Sequence, residues 1–80
     1  MTDEQIVEKL SNVFYETLGI KEFELSITMD EISAWDSLKH LQLLSSIEKA
    51  YEIEIQFEDA IEMITGKSIL TIIKKYIIGA

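Results

Sequence analysis

The sequence contains neither cysteine nor proline, and its 80 residues include a single histidine. Without cysteine the chain can form no disulfide and no cysteine-based metal site, and one histidine leaves few of the remaining ligand sets for a metal. Because 48% of the residues are hydrophobic and no proline interrupts them, the composition favours a compact helical fold over a disordered chain. We therefore expect an all-α protein without a metal site.

Long apolar runs and basic residues are also scarce. No apolar run approaches the length of a membrane span, and the chain begins with acidic residues where a signal peptide would begin with basic ones. Seven basic residues face fifteen acidic ones, so the formal net charge is −8, which disfavours nucleic acids and anionic membranes as partners. These features predict a cytoplasmic protein that does not insert into membranes and that binds basic proteins.

The acidic residues are concentrated in the first half of the chain. Residues 1–36 contain nine acidic and two basic side chains, whereas residues 37–80 contain six and five. A chain of this length suffices for one domain with a modest core, and is too short for a second domain or a large substrate-enclosing site. The sequence therefore predicts a single domain over residues 1–80, and we expect this domain to be a monomer.

A first helix is predicted between Thr2 and Gly19. Thr2 and Gln5 fit a capping box, and Gly19 is placed to end the helix in the left-handed conformation. Hydrophobic residues recur at helical spacing on one face: Ile6, Val7, Leu10, Val13, Phe14 and Leu18. This is the pattern of an amphipathic core helix, and it carries no catalytic chemistry.

Residues 20–35 show no sustained helical period. A connection this long is uncommon in a compact domain unless it has a structural or functional role. The segment is not simply polar, because it contains Leu25, Ile27, Met29, Ile32 and Trp35. We expect these side chains to fold back over the helices.

Ser37 lies where this long loop meets the next helix. Asp36 is a good N-cap residue, because its carboxylate can accept hydrogen bonds from the backbone N–H groups that a helix start leaves unpaired. The helix should therefore begin at Ser37, with the hydroxyl partly exposed near free N–H donors and the positive end of the helix dipole. That setting suits covalent attachment of a phosphate group better than catalysis.

His40 offers an alternative, in which Ser37 is a catalytic nucleophile. Three residues apart on a helix, the two side chains would be neighbours. A nucleophilic serine also needs a group that orients its base and a glycine-rich loop that binds the oxyanion, and the sequence identifies neither. We interpret His40 as a half-buried helix residue, and a small hydrolase using Ser37 and His40 is the weaker hypothesis.

The sequence Asp36-Ser37-Leu38 at the start of an apolar helix resembles the carrier-protein motif. Trp35 precedes the motif, and the residues that extend the resemblance through the helix and beyond it are Leu43, Leu44, Ile47, Glu48, Tyr51 and Glu52-Ile53-Glu54-Ile55. The resemblance covers nearly the whole chain. The family that the chain resembles is that of the acyl carrier proteins with their peptidyl and aminoacyl relatives.

The resemblance implies a four-helix bundle with a long first loop and a short third helix. It also implies that a phosphopantetheinyl transferase esterifies Ser37, next to Asp36, with 4′-phosphopantetheine from coenzyme A. The thiol of this arm would carry acyl or aminoacyl groups as thioesters between loading and condensing enzymes. The protein would be a substrate of enzymes and not an enzyme, and Trp35 would fix the direction of Ser37, with a role in gripping cargo as the alternative.

The second helix is predicted over Ser37–Tyr51. Its core face comprises Leu43, Leu44, Ile47 and Tyr51, with His40 at the upper end. The opposite face leaves two leucines exposed beside Ser37, unless the loop covers Leu41. Apolar groups ringed by polar ones are typical of binding surfaces, so we predict a partner-docking surface formed by Leu38, Leu41, Gln42 and Glu48.

This helix departs from the fatty-acid branch of the family. That branch carries a run of acids on the docking face, whereas Lys39, Gln42 and Lys49 occupy the aligned positions here. The departure favours a carrier dedicated to one pathway, such as polyketide-like, aminoacyl or specialised lipid assembly.

The remaining sequence predicts two more helices. Residues 52–56 alternate polar and apolar, which is typical of a short extended link with its isoleucines turned inward. A short third helix is predicted from Phe57 to Met63, followed by a break at Thr65-Gly66-Lys67. Ser68 is predicted to cap a last helix, whose apolar stripe comprises Ile69, Ile72, Ile73, Tyr76 and Ile77.

One hypothesis comes from another functional class: a small acidic helical adaptor that binds a basic partner and carries no prosthetic group. The chain reads as a free-standing protein, although a domain of a modular synthase would show the same pattern.

Overall fold

The computed structural model describes residues 1–78 and contains four α-helices and one 3₁₀ turn. The helices are α1 (Asp3–Leu18), α2 (Ser37–Tyr51), α3 (Phe57–Ala60) and α4 (Gly66–Ile78), and the 3₁₀ turn is Met29–Glu31. The predicted all-α architecture, with a long first loop and a short third helix, is confirmed over these residues. Within the described part, no helix combines the length and the apolar character needed to cross a membrane.

The ends of α1 are set by local contacts. The Thr2 hydroxyl accepts from Gln5 N at 3.2 Å, and the Gln5 side chain accepts from Thr2 N at 2.8 Å, which completes the predicted capping box. Gly19 ends the helix at φ 73°, a left-handed conformation that glycine adopts without steric cost. Both predicted boundaries of α1 are confirmed.

The core lies between α1, α2 and α4. Its fully buried side chains are Ile6, Leu10, Phe14, Leu43, Ile47, Met63, Ile69 and Ile73. The Tyr51 hydroxyl donates to Ile6 O at 2.6 Å, and the Thr17 and Ser46 hydroxyls lie 3.4 Å apart, so α1 and α2 run antiparallel. Because of this arrangement, Ser37 lies at the end of the bundle where α1 finishes.

The first loop folds back over the bundle, as predicted, with Ile27, Met29, Ile32 and Trp35 in or against the core, but the prediction is wrong for Leu25, which is exposed. The Phe14 ring contacts Phe23 with their centroids 4.7 Å apart, and it meets Trp35 edge to face at 5.3 Å. The edge-to-face contact with Trp35 is one of the favoured geometries for aromatic pairs. Trp35 is buried at the base of the loop and therefore fixes the chain two residues before Ser37.

A short antiparallel ladder joins the loop to the connection between α3 and α4. Met29 N donates to Ile64 O at 2.8 Å, Gly66 N donates to Ile27 O at 2.9 Å, and Lys67 N donates to Leu25 O at 2.9 Å. These bonds satisfy backbone groups that the loop would otherwise leave unpaired. The ladder holds the loop in one position across the bundle.

The prediction that Ser68 is the N-cap of the last helix is wrong, because α4 begins at Gly66. The Thr65 hydroxyl accepts from Ser68 N at 2.9 Å, and the Ser68 hydroxyl accepts from Thr65 N at 3.1 Å. This reciprocal pair has the form of a capping box with Thr65 in the N-cap position. Ser68 therefore lies inside the first turn, and Gly66 does not break the chain but opens the helix.

The third helix is also shorter than predicted, since it ends at Ala60 and not at Met63. Beyond Ala60 the backbone hydrogen bonds join residues three positions apart and not four, from Glu62 N to Asp59 O and from Met63 N to Ala60 O. This turn buries Met63 in the core and brings the following residue into the ladder. The requirements of the core and the ladder therefore end α3.

Replacing Gly66 with alanine should destabilise the protein, although alanine is the better helix former. An added Cβ would lie 2.8 Å from Glu24 O and 3.0 Å from Leu25 Cα and O. These backbone atoms cannot move without breaking the ladder, so we expect a loss of about 1–3 kcal/mol in the free energy of unfolding, measured by urea denaturation. Lys67→Ala, at an exposed neighbouring position, is the matched control, and an equal effect of both substitutions would contradict the steric explanation.

Candidate functional site

Ser37 is the first residue of α2, and the helix start predicted there is confirmed. Asp36 has an extended backbone conformation, and its Oδ1 accepts from Lys39 N at 2.8 Å, so it is the N-cap. Both Asp36 and Ser37 are exposed. Among residues 1–78, no group makes a hydrogen bond with the Ser37 hydroxyl, which leaves that oxygen available to an outside reagent.

The surroundings of Ser37 are suited to a phosphate ester. Asp36 pairs one N–H of the first turn, and the helix start provides further N–H groups without an intrahelical acceptor. The positive end of the helix dipole points toward the same place. An exposed primary hydroxyl with these neighbours fits attachment of a phosphate-linked group.

Trp35, His40 and Ala60 form a chain of hydrogen bonds beside Ser37. The Trp35 indole donates from Nε1 to His40 Nδ1 at 3.0 Å, and the His40 ring lies nearly parallel to the indole, with centroids 6.0 Å apart. An indole N–H is only a donor, so Nδ1 must be the acceptor and Nε2 must carry the proton. Nε2 then donates to Ala60 O at 3.1 Å, which links α2 to α3.

His40 therefore does not act as a base for Ser37. Both of its nitrogens are engaged, one by Trp35 and one by Ala60. The interpretation of His40 as a half-buried helix residue is confirmed, and the hypothesis of a Ser37–His40 hydrolase loses its base. Within residues 1–78, no three or more His, Asp or Glu side chains lie together in a way that could hold a metal ion.

An apolar pocket opens beside Ser37. It has a volume of about 290 Å³ and is lined by Met29, Ser37, His40, Leu41, Leu44, Phe57, Ala60 and Ile61. The loop, α2 and the α3 region each contribute to its walls. This volume lies just below the range of about 300–1,000 Å³ that is usual for ligand pockets.

Three large hydrophobic side chains that line this pocket are exposed, and so is Leu38, which follows Ser37 on α2. Leu38 and Leu41 on α2 are 64% and 65% exposed, and Phe57 and Ile61 are 78% and 58% exposed. The prediction that Leu38 and Leu41 face outward is confirmed. The exposure of Phe57 and Ile61 could not be predicted from the sequence, because α3 is too short to show an amphipathic period.

The other two residues predicted for docking differ in their environments. Gln42 is exposed on α2 close to Leu38 and Leu41. Glu48 is only half exposed, and its Oε2 accepts from Ile55 N at 2.9 Å. That hydrogen bond ties residues 52–56 to the end of α2, so Glu48 has a structural role as well.

A polar cluster joins α3 to α4 on the side away from α2. Lys75 Nζ lies 2.8 Å from both Asp59 carboxylate oxygens, and the Tyr76 hydroxyl donates to Asp59 and accepts from Gln56 N. Hydrogen bonds from Lys75 and Tyr76 hold the pKa of the Asp59 carboxyl below its ordinary value. The charged form of Asp59 therefore stabilises the packing of α3 on α4.

This cluster predicts a loss of stability in acid. Because the pKa of Asp59 is lower in the folded than in the unfolded state, its contribution is complete at neutral pH and is lost as pH falls through the folded pKa, below about pH 4. The difference in melting temperature between wild type and Asp59→Asn should therefore narrow between pH 7 and pH 3. The exposed Asp30→Asn is the control, and a difference that stays constant for Asp59→Asn would refute the linkage.

Comparison with the sequences of known proteins relates this chain to one family. The chain is 31% identical over 77 residues to the acyl carrier protein of Buchnera aphidicola subsp. Baizongia pistaciae (strain Bp), with 92% of this chain and 97% of the relative covered. It is 34% identical over 61 residues to the acyl carrier proteins of Streptococcus pyogenes serotypes M3 and M1, with 74% of this chain and 81% of each relative covered. No protein-family model matches the sequence.

Proposed function

The chain belongs to the acyl carrier protein family, and on that premise we propose that Ser37 is the residue to which its 4′-phosphopantetheine arm is attached. Proteins of this family are carriers and not enzymes, and the same holds for this chain. The observation that carries the proposal is the exposed Ser37 hydroxyl, free of hydrogen bonds within residues 1–78, directly after the capping Asp36.

Loading takes place inside a partner transferase. Ser37 Oγ forms a bond to the β-phosphorus of coenzyme A, the bond from that phosphorus to the bridging oxygen breaks, and adenosine 3′,5′-bisphosphate leaves. The transferase supplies Mg²⁺ and the base that takes the serine proton, because His40 is engaged elsewhere. The first-turn N–H groups of α2 then lie beside the new phosphodiester.

The attached arm supplies a thiol that holds acyl or aminoacyl groups as thioesters. The residues of this chain contribute the position of the attachment point, which α2 and the buried Trp35 fix. The apolar pocket beside Ser37 offers an apolar surface on which a short apolar part of the arm or its cargo could pack.

We propose that partner enzymes dock on the surface formed by Leu38, Leu41, Gln42, Phe57 and Ile61, with Glu48 at its far edge. Exposed acids adjoin this surface in the chain, since Asp36 precedes Ser37, Glu58 follows Phe57 and Glu62 follows Ile61. With a net charge of −8, the protein is complementary to an enzyme surface that has an apolar centre and a basic rim. Such partners include the transferase and the loading and condensing enzymes.

The charges on α2 support a dedicated pathway. Lys39 and Lys49 lie on this helix, and the exposed Gln42 is uncharged, so the acidic residues near the docking surface come mainly from the loop and from the α3 region. We infer a polyketide-like, aminoacyl or specialised lipid pathway. Because the arm comes from coenzyme A, we place the carrier in the cytoplasm. We also propose that it acts as a monomer.

The test is a loading reaction on the full chain. Incubation with coenzyme A, Mg²⁺ and a broad-specificity phosphopantetheinyl transferase should raise the intact mass by one phosphopantetheine, and peptide mapping should place the adduct on Ser37. If several transferases leave the mass unchanged, the proposal is wrong and an acidic adaptor without an arm becomes the better explanation.

A further inference from the structure

Few contacts hold α3 in place. None of its four residues is buried, so burial in the core does not fix it. On one side, Asp59 contacts Lys75 and Tyr76 of α4. On the other side, α2 makes one hydrogen bond to α3 within residues 1–78, and it runs from His40 Nε2 to Ala60 O.

His40 is itself held by the core. Trp35 is buried and packs edge to face on Phe14, and its indole donates to His40 Nδ1. The bond fixes both the orientation of the imidazole ring and the nitrogen that carries the proton. The position of Trp35 in the core is therefore transmitted through His40 to the carbonyl of Ala60.

Two exposed side chains, Phe57 and Ile61, lie close to Ala60. Phe57 and Ile61 line the pocket together with Ser37 and Leu41, and Ile61 directly follows Ala60. If the bond to Ala60 O were absent, the α4 contacts would still hold Asp59, but the side of α3 facing α2 would be free to move away from Ser37. A surface that moves must be ordered again during binding, and this lowers apparent affinity.

We propose that His40 is a positioning residue for partner docking: acting through Ala60, it holds Phe57 and Ile61 beside Ser37 and Leu41, so that the docking surface is formed before a partner binds. The inference rests on the proposed function, in which this surface meets the enzymes that act on the arm. His40 takes no part in the chemistry of loading.

The variants that test this role are His40→Ala and His40→Gln. Alanine removes both hydrogen bonds, whereas a glutamine amide supplies an acceptor for Trp35 and a donor for Ala60 O. In the protein without an arm, His40→Ala should accelerate amide hydrogen exchange at Ala60 and Ile61, whose N–H groups bond to Gln56 O and Phe57 O. Exchange at Leu10 in α1 should not change, and His40→Gln should restore slow exchange at both positions.

The second measurement is the kinetics of loading by a phosphopantetheinyl transferase with coenzyme A. For His40→Ala, the KM for the carrier should rise about threefold to tenfold, the range expected when a conformation held by one hydrogen bond is lost, with kcat unchanged. His40→Gln should return KM toward the wild-type value. A general loss of folding would instead lower the melting temperature and accelerate exchange throughout α1, including at Leu10, and glutamine would not restore slow exchange at Ala60 and Ile61 alone.

Two results would overturn the proposal. The first is wild-type exchange at Ala60 and Ile61 in His40→Ala, and the second is a wild-type KM in that variant. Because the exchange measurement uses the protein without an arm, it judges the role of His40 even where no transferase loads the wild type. If the proposed function is wrong, the mass of the wild type does not change on incubation with the transferases. If this inference is wrong, the wild type is loaded, but His40→Ala shows the wild-type KM and the wild-type exchange rates.

Discussion

Replacing Ser37 with alanine should abolish attachment of the phosphopantetheine arm and leave the fold almost unchanged. The substitution removes one exposed oxygen at the first residue of α2. Alanine is a good helix former, and surface substitutions of this kind usually change stability by less than about 0.5 kcal/mol. Loading should fall below detection, because the hydroxyl is the atom that forms the new bond.

The other serines do not reproduce this setting. Ser45 is exposed but lies inside α2, and Ser68 lies in the first turn of α4 with its hydroxyl bonded to Thr65. Wild type, Ser37→Ala and the control Ser45→Ala should be incubated with coenzyme A, Mg²⁺ and a transferase, and then weighed by mass spectrometry. We expect an adduct on wild type and on Ser45→Ala, and an adduct of equal amount on Ser37→Ala would refute the assignment.

Replacing Ile47 with alanine should cost about 2–5 kcal/mol in the free energy of unfolding. Ile47 is fully buried near the middle of α2, so the substitution removes three carbon atoms from a packed region and leaves a cavity. A domain of this size has a total stability of roughly 4–12 kcal/mol, estimated per residue. The loss would therefore consume a large share of the stability, and the variant should melt at a clearly lower temperature.

Leu41→Ala provides a matched control for that experiment. It removes a side chain of the same size from the same helix, but Leu41 is 65% exposed. Urea unfolding followed by circular dichroism should show a small change for Leu41→Ala and a large one for Ile47→Ala. Similar losses in the two variants would mean that α2 presents a different face to the core.

The parts of the fold that could be predicted depend on neighbours in the sequence. The capping box of Thr2 and Gln5, the left-handed Gly19 and the Asp36 cap are contacts within one helical turn, and each can be recognised from residue types and spacing. The core face of α2 followed from helical periodicity in the same way. The position of Ser37 at the start of α2 could be predicted because it depends only on the cap before it and the helix after it.

The errors concern places where distant segments meet. The sequence predicts a chain break at Gly66, but this position is glycine because the backbone of Glu24 and Leu25 passes against it. The early end of α3 follows from the burial of Met63 and from the bond between Met29 and Ile64. Neither contact leaves a local pattern, because the partners are far apart along the chain.

The candidate site shows the same division. Ser37 and Asp36 could be identified from the sequence, whereas the chain from Trp35 through His40 to Ala60 required the packing of three separate segments. The hydrogen bond that Glu48 accepts from Ile55 N likewise depends on the path of residues 52–56 after α2. Where a helical side chain could serve either in packing or at the surface, only its contacts in the folded structure show which role it has.

The exposure of α3 has a consequence for changing the partners of this carrier. Because none of its residues is buried, a substitution at Phe57 or Glu58 removes no core contact. On the docking surface that we propose, such a substitution can alter which enzyme surface fits without weakening the fold. Substitutions around Ile47 in α2 lack this freedom. Protein engineers who wish to redirect the carrier should randomise Phe57 and Glu58 first, and natural selection for a new partner has the same route open to it.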